Sequence, residues 1–142
     1  NLNEYPLTND NLISLQLKTK SLRIMKIQEV IYWIATVLLS GLFLYSGIMY
    51  LTDTAVIEGY YQDFNYPTHL VIPMAMAKIL AVIIIIWRKS EWLTEWAYAG
   101  LFFDMALACM AHYFAEDPEI TLPLVGIIIL LLSYFFGKEV RQ

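Results

Sequence analysis

The sequence predicts an all-α fold: an antiparallel four-helix transmembrane bundle with both termini in the cytoplasm. Three observations carry that expectation. Of 142 residues, 59% are hydrophobic and only 15% are charged, against about 25% charged in an ordinary soluble domain. The apolar residues gather into four long runs joined by short polar connections. All nine Lys and Arg residues except Lys78 lie before the first run, between the second and third, or after the fourth. The positive-inside rule then puts those three segments, and so both termini, on the cytoplasmic side.

Residues 1–26 read as a basic, weakly amphipathic segment, and 27–142 as the bundle. Asn1 to Asn11 is polar and turn-rich, after which Ile13, Leu15, Leu17, Leu22 and Ile24 alternate with polar residues. The stretch is too short to span, but Lys18, Lys20, Arg23 and Lys26 suit it to a membrane surface or a partner. No small-residue cleavage site follows an apolar run, so it is not a signal peptide. Met25 has the look of a start position, because the strong pattern begins just after it; residues 1–24 then read as an upstream extension.

The expected spans are about 30–51, 68–87, 92–115 and 119–136. Val30 to Leu51 carries no charge and exceeds the roughly 20 helical residues that a bilayer core requires. Ser40, Gly41, Ser46 and Gly47 within it favour close helix approach. The connection from Thr52 to Tyr66 is acidic and aromatic, with Asp53, Glu58, Asp63, Tyr60, Tyr61, Phe64 and Tyr66, and is expected to fold over the bundle end or lie in the headgroup layer. Pro67 fits a first helical turn, whereas Pro73 is expected to kink span two. Arg88, Lys89 and Ser90 form a tight connection. Asp117–Pro118 reads as an N-cap followed by proline at the first helical position.

Charge within the apolar runs is the main functional signal, since ionisable residues at such depth are costly and mark pairs or sites. Lys78 interrupts span two and Asp104 interrupts span three. Measured along their helices from the intervening turn, they lie about 15 and about 20 Å deep. Side chains lean toward the helix N-terminus, so on antiparallel spans these two lean toward each other, and an ion pair is expected. Ala97, Gly100, Ala108 and Ala111 all fall within about 40° of Asp104 on the helical wheel, a small-residue stripe that should turn the carboxylate inward. Two readings of the pair stand: an architectural pair that fixes helix register, or the polar floor of an outward-opening pocket for a small polar or quinone-like ligand or a proton relay. His69 and His112 lie near the outer ends of spans two and three, where haem or metal ligation is a third reading from generic spacing. Glu58 is placed over the same mouth.

Other classes are excluded. There is no basic patch for nucleic acid apart from the span flanks, and the formal net charge is −4. Cys109 is the single cysteine, which rules out a disulfide or a C-x-x-C pair within one chain.

The run EWAYAGLFFDMALACMAHY, together with SGIMYL, VIEGYYQDFNYP and AKILAV, resembles the DoxX-like family of small bacterial membrane proteins over roughly residues 27 to 137. The resemblance implies a four-span bundle in the bacterial inner membrane. It implies that Lys78, Glu95, Asp104, His112 and Glu58 occupy characteristic polar positions. Tyr50 is a departure, standing where relatives often place lysine. The family takes its name from a subunit of an archaeal thiosulfate:quinone oxidoreductase, so the resemblance implies a membrane subunit associated with quinone or sulfur redox chemistry. The chain has no flavin, nucleotide or iron–sulfur motif, so redox enzymology of its own is not expected. Three roles follow: an accessory subunit or ligand binder, with quinone as the candidate cofactor; a structural partner of other membrane subunits or of a second copy, with Ser40/Gly47 or Gly126/Ser133 as an exposed seam; or an oligomeric transporter.

Overall fold

The computed structural model describes residues 9–140, so expectations for residues 1–8 and for Arg141 lie outside the described residues. Five helices follow in order: α1 (Asn9–Thr52), α2 (Thr54–Asp63), α3 (Val71–Trp87), α4 (Glu91–Phe114) and α5 (Thr121–Val140), with 3-10 turns at Thr68–Leu70 and Pro118–Ile120. Four helices, with their leading 3-10 turns, are long and apolar enough to cross a membrane.

The four long helices form a ring in chain order. α1 packs on α3 and α5, and α4 packs on the same two, while α1 and α4 stand across the diagonal. This is the up-down-up-down arrangement that short connections dictate. Leu39, Phe43, Val82, Ile85, Tyr98, Leu101, Met105 and Leu130 fill the centre. Outward faces carry exposed Ile34, Val37, Leu38, Ile72, Leu80, Ile83, Phe103, Leu124 and Ile128. So much exposed apolar surface would be a liability in water; on spanning helices it is the lipid-facing coat.

The structure differs from the sequence expectations in four places. First, the basic segment and span one are a single helix of 44 residues. At 1.5 Å per residue that is about 66 Å, more than twice the hydrocarbon core of about 30 Å. No Gly or Pro occurs between Asn9 and Gly41 to stop it. Residues 9–27 are exposed, and the first buried side chain is Tyr32. Second, the connection after span one is largely helical, as α2, with Ile57 turned inward. Third, Pro73 makes no mid-span break. It sits in the first turn of α3, because the 3-10 turn at Thr68–Leu70 precedes it and the missing N–H falls where no helical partner exists. Fourth, the small-residue stripe of span three divides. Ala97 and Ala111 are buried, Ala108 is half-buried and Gly100 is exposed with open space around it. The buried face of α4 is centred on Thr94, Tyr98, Leu101 and Met105, about 80° round from Asp104. Gly100 lies on the far side of Asp104 from that centre.

The candidate outer seams are used inside the chain. Gly47 lets α1 approach α3, since a Cβ there would lie 2.9 Å from Cγ1 of Ile79 and 3.3 Å from the Ala75 carbonyl oxygen. Gly126 faces Sδ of Met105, which a Cβ would approach to 2.8 Å. Ser133 is fully buried, with its Oγ 2.8 Å from Oγ1 of Thr36 and 2.7 Å from the Tyr98 hydroxyl. One serine on α5 thus joins α1 to α4 across the ring. Hydrogen bonds of this kind contribute about 0.6 kcal/mol each, rarely above 1.7, between membrane helices.

At the basic end, Arg88 adopts a left-handed conformation (φ 55°) that closes α3. Its guanidinium lies 5.4 Å from the ring centroids of both Tyr32 and Trp33, and Nη2 donates to the Val140 carbonyl at 3.5 Å. This one side chain gathers the ends of α3 and α5 onto the middle of α1.

Gly47→Ala should lower the thermal unfolding midpoint in detergent, by an overpacking cost of about 1–3 kcal/mol, because a branched side-chain stem and a backbone oxygen must move. Gly126→Ala should cost less, since a methionine side chain can re-rotate. Equal losses in the two variants would contradict the difference drawn between these contacts.

Candidate functional site

Lys78 is the most deeply buried charged side-chain position described, with 4% of the residue exposed. It sits on α3, the helix that touches both α1 and α4, so partners can reach it from two sides. From α1, Ser46 Oγ accepts a hydrogen bond from Nζ at 3.1 Å. Also from α1, the Tyr50 ring lies with its centroid 4.0 Å from Nζ, within cation–π range. From α4, Asp104 Oδ2 is 3.4 Å from Nζ. The carboxylate side chain is 11% exposed, consistent with its place at the edge of the buried face of α4.

The Lys78–Asp104 contact is close without being an aligned hydrogen bond. Oδ2 is buried and has no hydrogen-bond partner, whereas the ammonium directs its hydrogen bond to Ser46. Buried polar atoms in that condition are uncommon and call for an explanation.

An aromatic roof covers the acidic side of the cluster. Tyr50 meets Tyr61 of α2 edge-on, with centroids 6.1 Å apart, and Tyr61 meets Tyr66 at the same separation. Burial, then the nearby Tyr50, pushes the Tyr61 phenol above its ordinary pKa. The Tyr66 hydroxyl donates to the Leu107 carbonyl of α4 at 3.4 Å, which ties the end of this connection down.

The remaining residues singled out in the sequence go elsewhere. His112 turns to the acidic end, where Nδ1 is 3.0 Å from Asp117 Oδ2 and its ring meets Phe64 edge-on at 5.3 Å. Asp117 also accepts from the Glu119 backbone N–H at 3.0 Å, capping the 3-10 turn as its position before Pro118 implies. That backbone bond first, and His112 second, hold its carboxyl below the usual aspartate range. His69 is exposed on the preceding 3-10 turn, and Glu58 is half-buried on α2. Glu95 accepts from the Tyr134 hydroxyl at 2.7 Å, nine residues before Asp104 and therefore about 13 Å nearer the basic end. Among the described residues no three His, Cys, Asp or Glu side chains gather as a metal-binding group.

Sequence reasoning found the two charges but missed Ser46 and Tyr50 as their partners. The signal was present: Ser46 and Tyr50 are four residues apart on one face of span one, in hydrogen-bonding and cation-facing side chains. Small size alone had marked Ser46.

Replacing Lys78 by Met while Asp104 remains should destabilise the bundle strongly, by about 3–5 kcal/mol, as expected when a buried charge loses its partner. Lys78→Met combined with Asp104→Leu should recover most of that loss in thermal unfolding. A double variant no better than the single one would show that the two residues do not act as a pair.

No curated protein and no solved structure matches the chain. A family model described as the DoxX-like family matches residues 34–136. That match takes in α1 from the point where it enters the bundle, the whole Lys78 cluster and nearly all of α5, and the chain belongs to the DoxX-like family.

Proposed function

We propose that this DoxX-like protein is an accessory membrane subunit that binds a small quinone-like ligand above the Lys78–Asp104 pair, entering from the acidic, α2-covered end. The observation that carries the reading is Oδ2 of Asp104, which faces a buried ammonium at 3.4 Å yet accepts no aligned hydrogen bond. A donor and an acceptor with remaining capacity side by side suit a ligand that presents a carbonyl in one state and a hydroxyl in another. A quinone oxygen accepts from Lys78 Nζ; the corresponding quinol hydroxyl donates to Asp104. Tyr50, Tyr61 and Tyr66 supply aromatic walls. Ile57 of α2 is buried against the bundle, so α2 lies at the proposed entrance. The reaction, where there is one, belongs to the partner subunits with which such a protein assembles.

A second reading has its own support. The near-complete burial of Lys78 and its second contact to Ser46 are what a purely architectural pair would show. Native mass spectrometry of the gently extracted protein separates the two. The ligand reading expects a stoichiometric quinone-like molecule that Asp104→Asn loses while the protein still accumulates. An empty bundle, or a variant that simply disappears from the membrane, supports architecture instead.

The same proposal places both termini in the cytoplasm of a bacterium and α2 outside its inner membrane, supported by the basic flanks. In a background with Cys109 replaced by Ser, a cysteine at position 63 should react with an impermeant maleimide on intact cells, and one at position 138 only after permeabilisation. The reverse pattern would put the proposed entrance on the cytoplasmic side.

A further inference from the structure

A second polar constellation lies at the basic end, away from Lys78 and independent of the ligand reading. α4 begins at Glu91, directly after Arg88–Ser90, and its first two turns present Trp92 and Trp96 on the surface, 63% and 65% exposed. The two indoles pack on each other with centroids 5.0 Å apart. With Glu91, Glu95 and Lys138 of α5 they line a shallow, open groove. Tyr134 touches two of these side chains. Its hydroxyl donates to Glu95 at 2.7 Å, and its ring centroid lies 5.8 Å from Nζ of Lys138.

Interfacial tryptophans alone need only the aromatic belt as explanation. The belt does not explain a groove that joins acidic and basic side chains at headgroup depth. A cation alone meets Lys138, and an anionic headgroup meets Glu91 and Glu95. A zwitterion matches both signs. We propose that this groove binds the headgroup of an aminophospholipid of the phosphatidylethanolamine class. Lys138 takes the phosphate. Glu91 and the electron-rich indole faces take the ammonium. The acyl chains run along the apolar outer faces of α4 and α5.

The test reconstitutes the full chain in vesicles of equal parts phosphatidylethanolamine and phosphatidylglycerol, extracts it in mild detergent and counts retained lipids by native mass spectrometry. The wild type should retain one phosphatidylethanolamine, enriched roughly tenfold over phosphatidylglycerol, about the ratio of a 1.4 kcal/mol preference. Lys138→Ala and Glu91→Gln, both at exposed positions, should each bring the ratio close to that of the vesicle with no change in unfolding midpoint in lipid-free detergent. Trp92→Ala with Trp96→Ala should do the same. Retention in bulk proportion by the wild type, enrichment of phosphatidylglycerol, or a preference that survives both charge variants would each overturn the proposal.

Discussion

An ammonium group held among apolar helices must be answered by whatever stands beside it, and the arrangement of this bundle follows from how Lys78 is answered. α3 is the helix with α1 on one side and α4 on the other. Ser46 and Tyr50 come from the first, Asp104 from the second. α1 and α4 stand across the diagonal, and Lys78 on one side, like Ser133 on the other, gives them a shared polar site. Register along three helices is thereby fixed at one depth. A shift of α1 by one residue would turn Ser46 about 100° away from Nζ. The price of the polar group is recovered as specificity of packing, a use attested for single buried polar residues elsewhere.

The opposite side of the ring solves a different problem. There α5 meets α1 and α4, and the contacts are small residues and hydroxyls rather than charge. Ser133 reaches Thr36 and Tyr98, and Gly126 admits Met105. Between lipid-bathed helices no hydrophobic driving force distinguishes a neighbour from a lipid tail, so close approach and hydrogen bonds must do so. The two sides also lie at different heights. The Ser133 hub is nearer the basic end, with Arg88 closing it, and the Lys78 cluster is nearer the acidic end under α2.

Much of this was legible in the sequence because a bilayer imposes coarse rules. Spans are long apolar runs, and long apolar helices occupy residues 68–87, 91–114 and 118–140, while the first such run lies within a helix that begins at Asn9. Lys78 and Asp104 stood out because charge in such runs is rare. What escaped was set by geometry that composition does not encode. The acidic connection gave no sign of α2, since polar and aromatic residues serve a short helix and a loop alike. Pro73 read as a kink because the 3-10 turn ahead of it was invisible. Gly100 read as buried because Asp104 was taken as the centre of the inward face, when that centre lies about 80° away. Ser40, Gly47, Gly126 and Ser133 read as an outward seam, yet the chain spends them on its own helices. Small residues mark close approach; they do not say to whom.

The length of α1 has a mechanical consequence. One uninterrupted helix runs from Asn9, beyond the basic end, to Tyr50 against the Lys78 ammonium. Between Asn9 and Ser40 it holds no glycine or proline, so the exposed surface of residues 9–27 continues as helix to Tyr32 and Trp33, where Arg88 is seated. The Ser40–Gly41 and Ser46–Gly47 pairs, the kind of site where helices bend, separate that stiff portion from Tyr50 and the Lys78 ammonium.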